Sequence, residues 1–522
     1  MAGSRQKKTF SWVHPDACQH ITAKAHAIMK KIIWFSSLFL LVLSMPAMAQ
    51  EPATGLLFDD EVYDTLSRMP AYDGSKDLDL PVRVDLSPFC PEVRNQGDIF
   101  SCVGWAVGYG ALTIRRAIRA GWTDKTTITA NAYSALFIYN QIREGSCRQG
   151  SRLSAAMELL QTTGDCPANV FDFNVEDCEK QPAPAVIEMA RRDTISDYLT
   201  LFGRKDNAQT KIWKVKRALA QKEPVIIGME IRQNFYQLSD ATFWWPDLGN
   251  TNPAGGHAMT VVGYDDEVQA FLLFNSWGTS WGDKGYIRVK YEHFAEYCKY
   301  AYILIGSLGS APQTATTPNA PAPVRELVKM AGSSQLKHLT GVSGGEPIFK
   351  NTALAGEQGL YRTRQQWTTG QLFQLSAATR SSNIYLYAFT VDQGGQVHIH
   401  WPRKGSLNKK FAGTNESALV VEPESRVTIP GPNKALRISR PGRDVLYILF
   451  SKRKIRGLKF ICTRMAESND QPMQRLQQLM GKHLIPPSDI EYGKNLAIFA
   501  ARTRSEGYIV PLILIADSAE SR

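Results

Sequence analysis

The sequence is short of most features that would settle its class at once. It has no glycine-rich phosphate loop, no zinc-finger spacing and no RNA-binding signature, which leaves nucleic acid a minor option. No repeat of fixed period runs through it, and no motif asks for a cofactor or a metal. After residue 49 no stretch is long and apolar enough for a transmembrane helix. Acidic residues are outnumbered, 49 against 60 Lys and Arg, for a net charge of +11. That excess leans toward an anionic surface or acidic substrate, although most such charge is solvated surface. Cysteine is scarce, with 8 in 522 residues. What remains, 43% hydrophobic and 21% charged, is ordinary globular composition sufficient for two or three domains.

The N-terminus has a pattern of its own. Met29 opens MKKIIWFSSLFLLVLSMPAMAQ, with two lysines, an apolar run from Ile32 to Val42, and Ala47-Met48-Ala49. These are the three parts of a Sec-type secretory signal peptide, with cleavage expected after Ala49. Residues 1–28 read as a disordered leader or as lying upstream of the true start, 29–49 as the signal peptide and 50–80 as a short N-terminal segment. No cysteine follows the cleavage site, which argues against a lipid anchor, and the expected location is secreted or periplasmic. Export makes the cysteines significant. With Cys18 removed, Cys90, Cys102, Cys147, Cys166, Cys178, Cys298 and Cys462 remain, an odd count that predicts disulfides plus a free thiol. Cys166 with Cys178 is the preferred pair, and Cys90 with Cys147 a weaker one.

A Pro-, Ala- and Thr-rich stretch at 309–324 carries no charge and no hydrophobic period, and is expected to be an extended spacer. It divides a domain at 81–308 from one at 325–522. In the first, helical periodicity begins at Cys102 and ends at Gly121, with further helices expected over 152–162 and 210–221. Strands are expected over 224–231, 258–265, 271–277 and 285–291. Helices first and antiparallel strands later make an α+β arrangement of two lobes. In the second domain, short runs such as IYLYAFTVD, GQVHIHWP and DVLYILFSKR alternate with Gly, Pro and Asn, as in an antiparallel β domain.

The candidate chemistry lies in the first domain. Cys102, in NQGDIFSCVGW, starts a helix, where partial positive charge favours a thiolate. His257, in GGHAMTVVGYD, follows 155 residues later, and Asn275, in FNSWGTSWGDKGYIRV, lies at a strand end. Gln96 precedes Cys102 by six residues, and its amide could join the Cys102 N–H as oxyanion donor. Thiol acylation needs this set: nucleophile, base, a group orienting the base, and oxyanion donors. Taken singly, each residue is more often structural. Their joint order and their glycine-rich settings reverse that reading.

These blocks resemble the papain family of cysteine peptidases over roughly residues 80–306. The resemblance implies a papain-like two-lobed peptidase domain followed by the mainly antiparallel β domain, with peptide bonds hydrolysed through Cys102, His257, Asn275 and Gln96. It also implies that Trp277 shields the Asn275–His257 bond, and that Phe100, Ser101, Gly150, Ser151 and Gly256 border the substrate. The sequence departs from the family at Ile99, where a disulfide cysteine is usual, at Phe100, usually glycine, and at Val103, usually tryptophan. Cys147 then needs another partner or stays free. The segment between Gln50 and Cys90 is too short for a long helical propeptide, which favours the absence of an inhibitory segment.

The C-terminal domain resembles a bacterial domain of unknown function. His398 and His400 share a strand face but have no third ligand in sight, so they read as a surface strand. Arg437, Arg440, Arg443, Lys452, Arg453, Lys454, Arg456 and Lys459 form a basic group that could meet an anionic cell-surface component. The partners expected are thus a protein or peptide substrate and that component, with no nucleic acid. The competing readings are a catalytically inactive papain-fold binding protein acting at a cell surface, and a thiol acyltransferase.

Overall fold

The structure is a computed structural model describing residues 52–70, 80–171, 177–249, 252–306, 327–411, 413–467 and 470–520. The leader, the signal-peptide pattern, Cys18 and the 309–324 spacer lie outside the described residues.

The helix expected at Cys102 is a continuous run of Cys102–Gly104, Trp105–Leu112 and Thr113–Ala120, the middle eight residues having π geometry. Gly121, at φ 70°, ends it in the left-handed conformation that glycine adopts without strain. The other two helices expected there lie at Leu153–Thr162 and Ala208–Ala220. An eight-stranded sheet forms the second lobe, in the order Asp197–Thr200, Cys298–Ile305, Val225–Ile231, Gly255–Asp265, Ala270–Phe274, Tyr286–Lys290, Phe243–Trp244, with Arg83–Asp85 also on Gly255–Asp265. The pairings are antiparallel except Phe243–Trp244 with Tyr286–Lys290. The long helix lies directly on this sheet. A Cβ at Gly110 would come within 2.3 Å of Thr260 Oγ1, and that hydroxyl donates to the Ala106 carbonyl at 2.9 Å. Cys102 and His257 therefore sit on two elements locked face to face.

The second region is two sheets, one of seven strands around Leu372–Thr379 and Val328–Ser343, the other of eight around Ile384–Val391, Gly442–Ser451 and Ile509–Ala519. Phe450 of one sheet meets Phe499 of the other edge-on at 4.9 Å. Ile384–Val391 is buried along its whole length, so it reads as an unbroken apolar run rather than an alternation. Helix Leu458–Glu467 packs over that strand, burying Leu458, Cys462 and Met465.

The two regions pack against each other within one unit. Arg217 of the peptidase region forms a buried ion pair with Glu422 of the β region. Asp197 accepts from Tyr385 at 3.2 Å and Lys454 at 3.0 Å.

Candidate active site

Cys102, His257, Asn275 and Gln96 are brought together and fully buried, none more than 3% exposed. Cys102 lies at the helix start against the Ala258 backbone of the strand that carries His257. Asn275 Oδ1 lies 2.7 Å from His257 Nε2 and also accepts the Ser276 N–H at 2.8 Å. That second bond fixes which way the amide points. A carbonyl oxygen can only accept, so the imidazole proton is on Nε2 and Nδ1 is the bare base. Nδ1 has no hydrogen-bond partner among the described residues. Trp277 stacks on the imidazole at 4.4 Å between ring centres, which keeps water from the His257–Asn275 bond.

Gln96 is oriented by a residue that sequence reasoning passed over. Ser276 Oγ donates to Gln96 Oε1 at 2.6 Å, so the amide N–H groups face the cleft. One of them donates to the Ile99 carbonyl at 3.0 Å and the other reaches the Thr54 carbonyl at 3.3 Å. The signal for Ser276 was its place beside Asn275, read only as part of a matching block.

Thr54 belongs to a segment not expected here. Residues 53–58 run along the cleft as a strap. Ser151 N–H donates to the Gly55 carbonyl at 2.8 Å, Leu57 N–H to the Ser151 carbonyl at 3.0 Å, and Leu56 N–H to the Gly256 carbonyl at 3.2 Å. Trp277 Nε1 donates to the Ala53 carbonyl at 2.9 Å. The Leu56 side chain is buried against Gly228, Leu153 and Tyr300. Gly55, at φ 126°, passes so close to Phe100 that a Cβ would lie 2.0 Å from its carbonyl oxygen. Thus Gly150, Ser151 and Gly256 border a cleft that is already filled. Phe100 faces a remaining space of about 350 Å³ with Leu57, Glu144 and Gln149. Where the sequence favoured no inhibitory segment, residues 53–58 lie along the cleft. Backbone hydrogen bonds and one buried leucine seat the strap.

Under this cover, burial pushes the Cys102 thiol up to about 12 and the His257 imidazole down to about 4. Both shifts favour the neutral pair, since a thiolate and an imidazolium lose water they cannot replace.

The disulfide expectation is also corrected: the bond joins Cys147 to Cys178, leaving Cys90 and Cys166 free. Asn140 Nδ2 donates to the Asp177 and Lys180 carbonyls at 3.1 and 2.9 Å, and Arg143 Nε to the Cys178 carbonyl at 3.0 Å. These bonds hold Cys178 beside Cys147. Ile99 and Cys166 fill the adjacent apolar cluster. Ser101 accepts from Trp105 Nε1 at 3.2 Å and so braces the helix start.

In the β domain, His398 is exposed, and His400 is half-buried and bonded to Thr390 Oγ1 at 2.6 Å. The basic group does not form one face. Arg443 pairs with Asp517 at 2.7 Å and Lys454 with Asp197 at 3.0 Å. Lys452 and Arg453 instead join Lys329, Lys482 and His483 around a cavity of about 840 Å³.

The helix-borne thiol, strand-borne imidazole and amide pair lie in an α+β fold of papain type. Residues 87–304 match the family model described as papain family cysteine protease. The uncharacterized peptidase C1-like protein L477 of Acanthamoeba polyphaga mimivirus is 23% identical over 39% of this chain and 65% of its own length. Mouse cathepsin S is 28% identical over 41% of this chain and 60% of its own. The chain thus spans less than two thirds of either relative. Xylellain, a cysteine protease from Xylella fastidiosa, aligns in structure over 50% of this chain and 99% of its own, with 22% identity and a TM-score of 0.42. No helix among the described residues is long and apolar enough to cross a membrane.

Proposed function

We propose that the protein is an exported cysteine peptidase acting on proteins or peptides, held shut in the state described by its own residues 53–58. His257 Nδ1 takes the Cys102 proton, and the thiolate adds to the scissile carbonyl. The oxyanion receives the Cys102 N–H and the Gln96 amide, replacing the Thr54 carbonyl now on that amide. His257 then gives its proton to the leaving amine while Asn275 keeps the ring aligned. Water, deprotonated by His257, releases the acyl group and regenerates the thiol. The observation carrying this reading is the bond from His257 Nε2–H to Asn275 Oδ1, which leaves Nδ1 as the base. Export rests on the Met29–Ala49 pattern, and a disulfide agrees with an oxidising compartment.

Iodoacetamide at mildly acidic pH tests it. Once the strap is displaced, Cys102 should be labelled well ahead of Cys90, Cys166, Cys298 and Cys462, the other free thiols of the described residues, all buried. Labelling with no preference for Cys102 would favour a non-catalytic binding protein.

For the β domain, the cavity lined by Lys329, Lys452, Arg453 and Lys482 supports an anionic cell-surface ligand. Vesicles containing an anionic phospholipid should sediment the protein at low salt, less so in the variant Lys329→Ala/Lys482→Ala. Equal sedimentation with uncharged vesicles would remove this reading.

A further inference from the structure

We propose that the β domain is a latch on the strap: its Asn415–Ser417 edge grips Arg68, and an extended peptide strand that takes this edge instead opens the peptidase. The proposal rests on the reading of residues 53–58 as a block over a working site.

At Arg68 the chain lies between the two domains as a shared strand. Its N–H donates to the Asn415 carbonyl at 2.8 Å, and its carbonyl accepts from the Ser417 N–H at 2.8 Å. On the peptidase side, Met69 N–H donates to the Thr200 carbonyl at 2.8 Å and Thr200 N–H to the Ser67 carbonyl at 3.1 Å. Side chains of the β domain add to the grip. Asn415 Nδ2 donates at 3.1 Å to the Asp64 carbonyl in the last turn of helix Asp60–Thr65, satisfying a group with no partner inside the helix. Lys404 Nζ reaches Ser67 Oγ at 3.5 Å.

The gripping edge is stiff. Arg403 holds Glu416 through two bonds of 2.5 and 2.7 Å, and Gly405 N–H donates to the Thr414 carbonyl at 2.9 Å. The path from the edge to the cleft is ordered as well. Helix Asp60–Thr65 is pinned by Arg204 to Asp60 at 2.6 Å and to Asp64 at 2.7 Å. Tyr63 is buried in a stack on Tyr300 at 4.2 Å and donates to the Phe202 carbonyl at 2.8 Å. Helix Asp60–Thr65 thus joins Arg68 to the strap as one seated segment.

If Arg68 leaves, the Asn415 carbonyl and the Ser417 N–H both lose their partners. They point toward one strand position, where another extended backbone supplies a donor and an acceptor together. Linkage makes the effect reciprocal. A strand that binds this edge only when the strap is off shifts the population toward the open cleft, and an open cleft binds that strand more tightly.

The test compares iodoacetamide labelling of Cys102 and hydrolysis of a short peptide in four full-length proteins: parent, Asn415→Ala, Leu56→Asp and the double variant. Asn415→Ala removes the one hydrogen bond to the helix end at Asp64, so labelling and hydrolysis should rise about fivefold to tenfold. In the Leu56→Asp background, where the strap is already off, the same change should add nothing. Lys404→Ala, on the same edge, should act in the same direction. Arg362→Ala, which removes an ion pair with Asp517 outside that edge, should leave labelling unchanged. If Leu56→Asp raises labelling and neither Asn415→Ala nor Lys404→Ala does, the latch is wrong and the blocked cleft stands. If Leu56→Asp itself raises neither labelling nor hydrolysis, both are wrong.

Discussion

Replacing Cys102 by alanine, in a background where the strap is displaced, should lower peptide hydrolysis by on the order of 10⁴-fold or more while the protein stays folded. The expectation follows from what no other group can supply. Every other free cysteine among the described residues is buried, and Cys90, Cys166 and Cys298 lie in apolar clusters that do not include Cys102. The Gln96 amide and the Asn275–His257 pair would persist, so some binding and polarisation would remain without a nucleophile. Loss of one sulfur from the start of a packed helix removes little volume, and the melting temperature should shift by only a few degrees, about 1 kcal/mol in a domain of this size. Initial rates on an unblocked peptide, read beside the melting curve, decide the matter. A variant that cleaves as fast as its parent would end the assignment of Cys102.

The second large effect runs the other way. Leu56→Asp should raise hydrolysis by the full-length protein about 100-fold. Leu56 is 5% exposed, and burying such a side chain contributes about 1.5–3 kcal/mol to seating the strap. A carboxylate in the same place, among Leu153 and Tyr300, loses its water, which adds further cost. Together these exceed the roughly 2.7 kcal/mol that a 100-fold population shift requires. Water then returns to the cleft, and the thiol and imidazole held near 12 and 4 by burial move back toward each other. The variant should therefore also gain activity at mildly acidic pH, where the covered pair remains neutral. A full-length Leu56→Asp protein no faster than the parent on a short peptide would show that the strap does not hold the enzyme shut.

The residues now placed at the candidate site were legible because each sits in a block whose neighbours are constrained too. The turn glycines after Asn275, the strand after His257 and the helix after Cys102 left few other ways to arrange them. The strap was not legible for the opposite reason. Gly55, Leu56 and Leu57 act through backbone hydrogen bonds, which leave no periodicity, and a single buried leucine looks like any other. Cysteine pairing failed because Cys147, Cys166 and Cys178 share one apolar cluster, and Asn140 and Arg143, distant in sequence from Cys178, decide between them. The basic residues of the β domain misled because neighbours in sequence point to different places. Lys454 turns to the peptidase's Asp197, while Arg453 lies over the Tyr508 ring, 5.0 Å from its centre. The strand run of the β domain was visible, but what covers its apolar outer face, helix Leu458–Glu467, was not.

Because the strap and the cleft belong to one polypeptide, the block is independent of stoichiometry. An inhibitor supplied as a separate molecule falls off as the mixture is thinned, and its enzyme awakens. Here residues 53–58 remain at the same local concentration however few copies are present. A protein sent out of the cell into a large volume would carry its restraint with it undiminished, and only an event at the molecule itself would lift it.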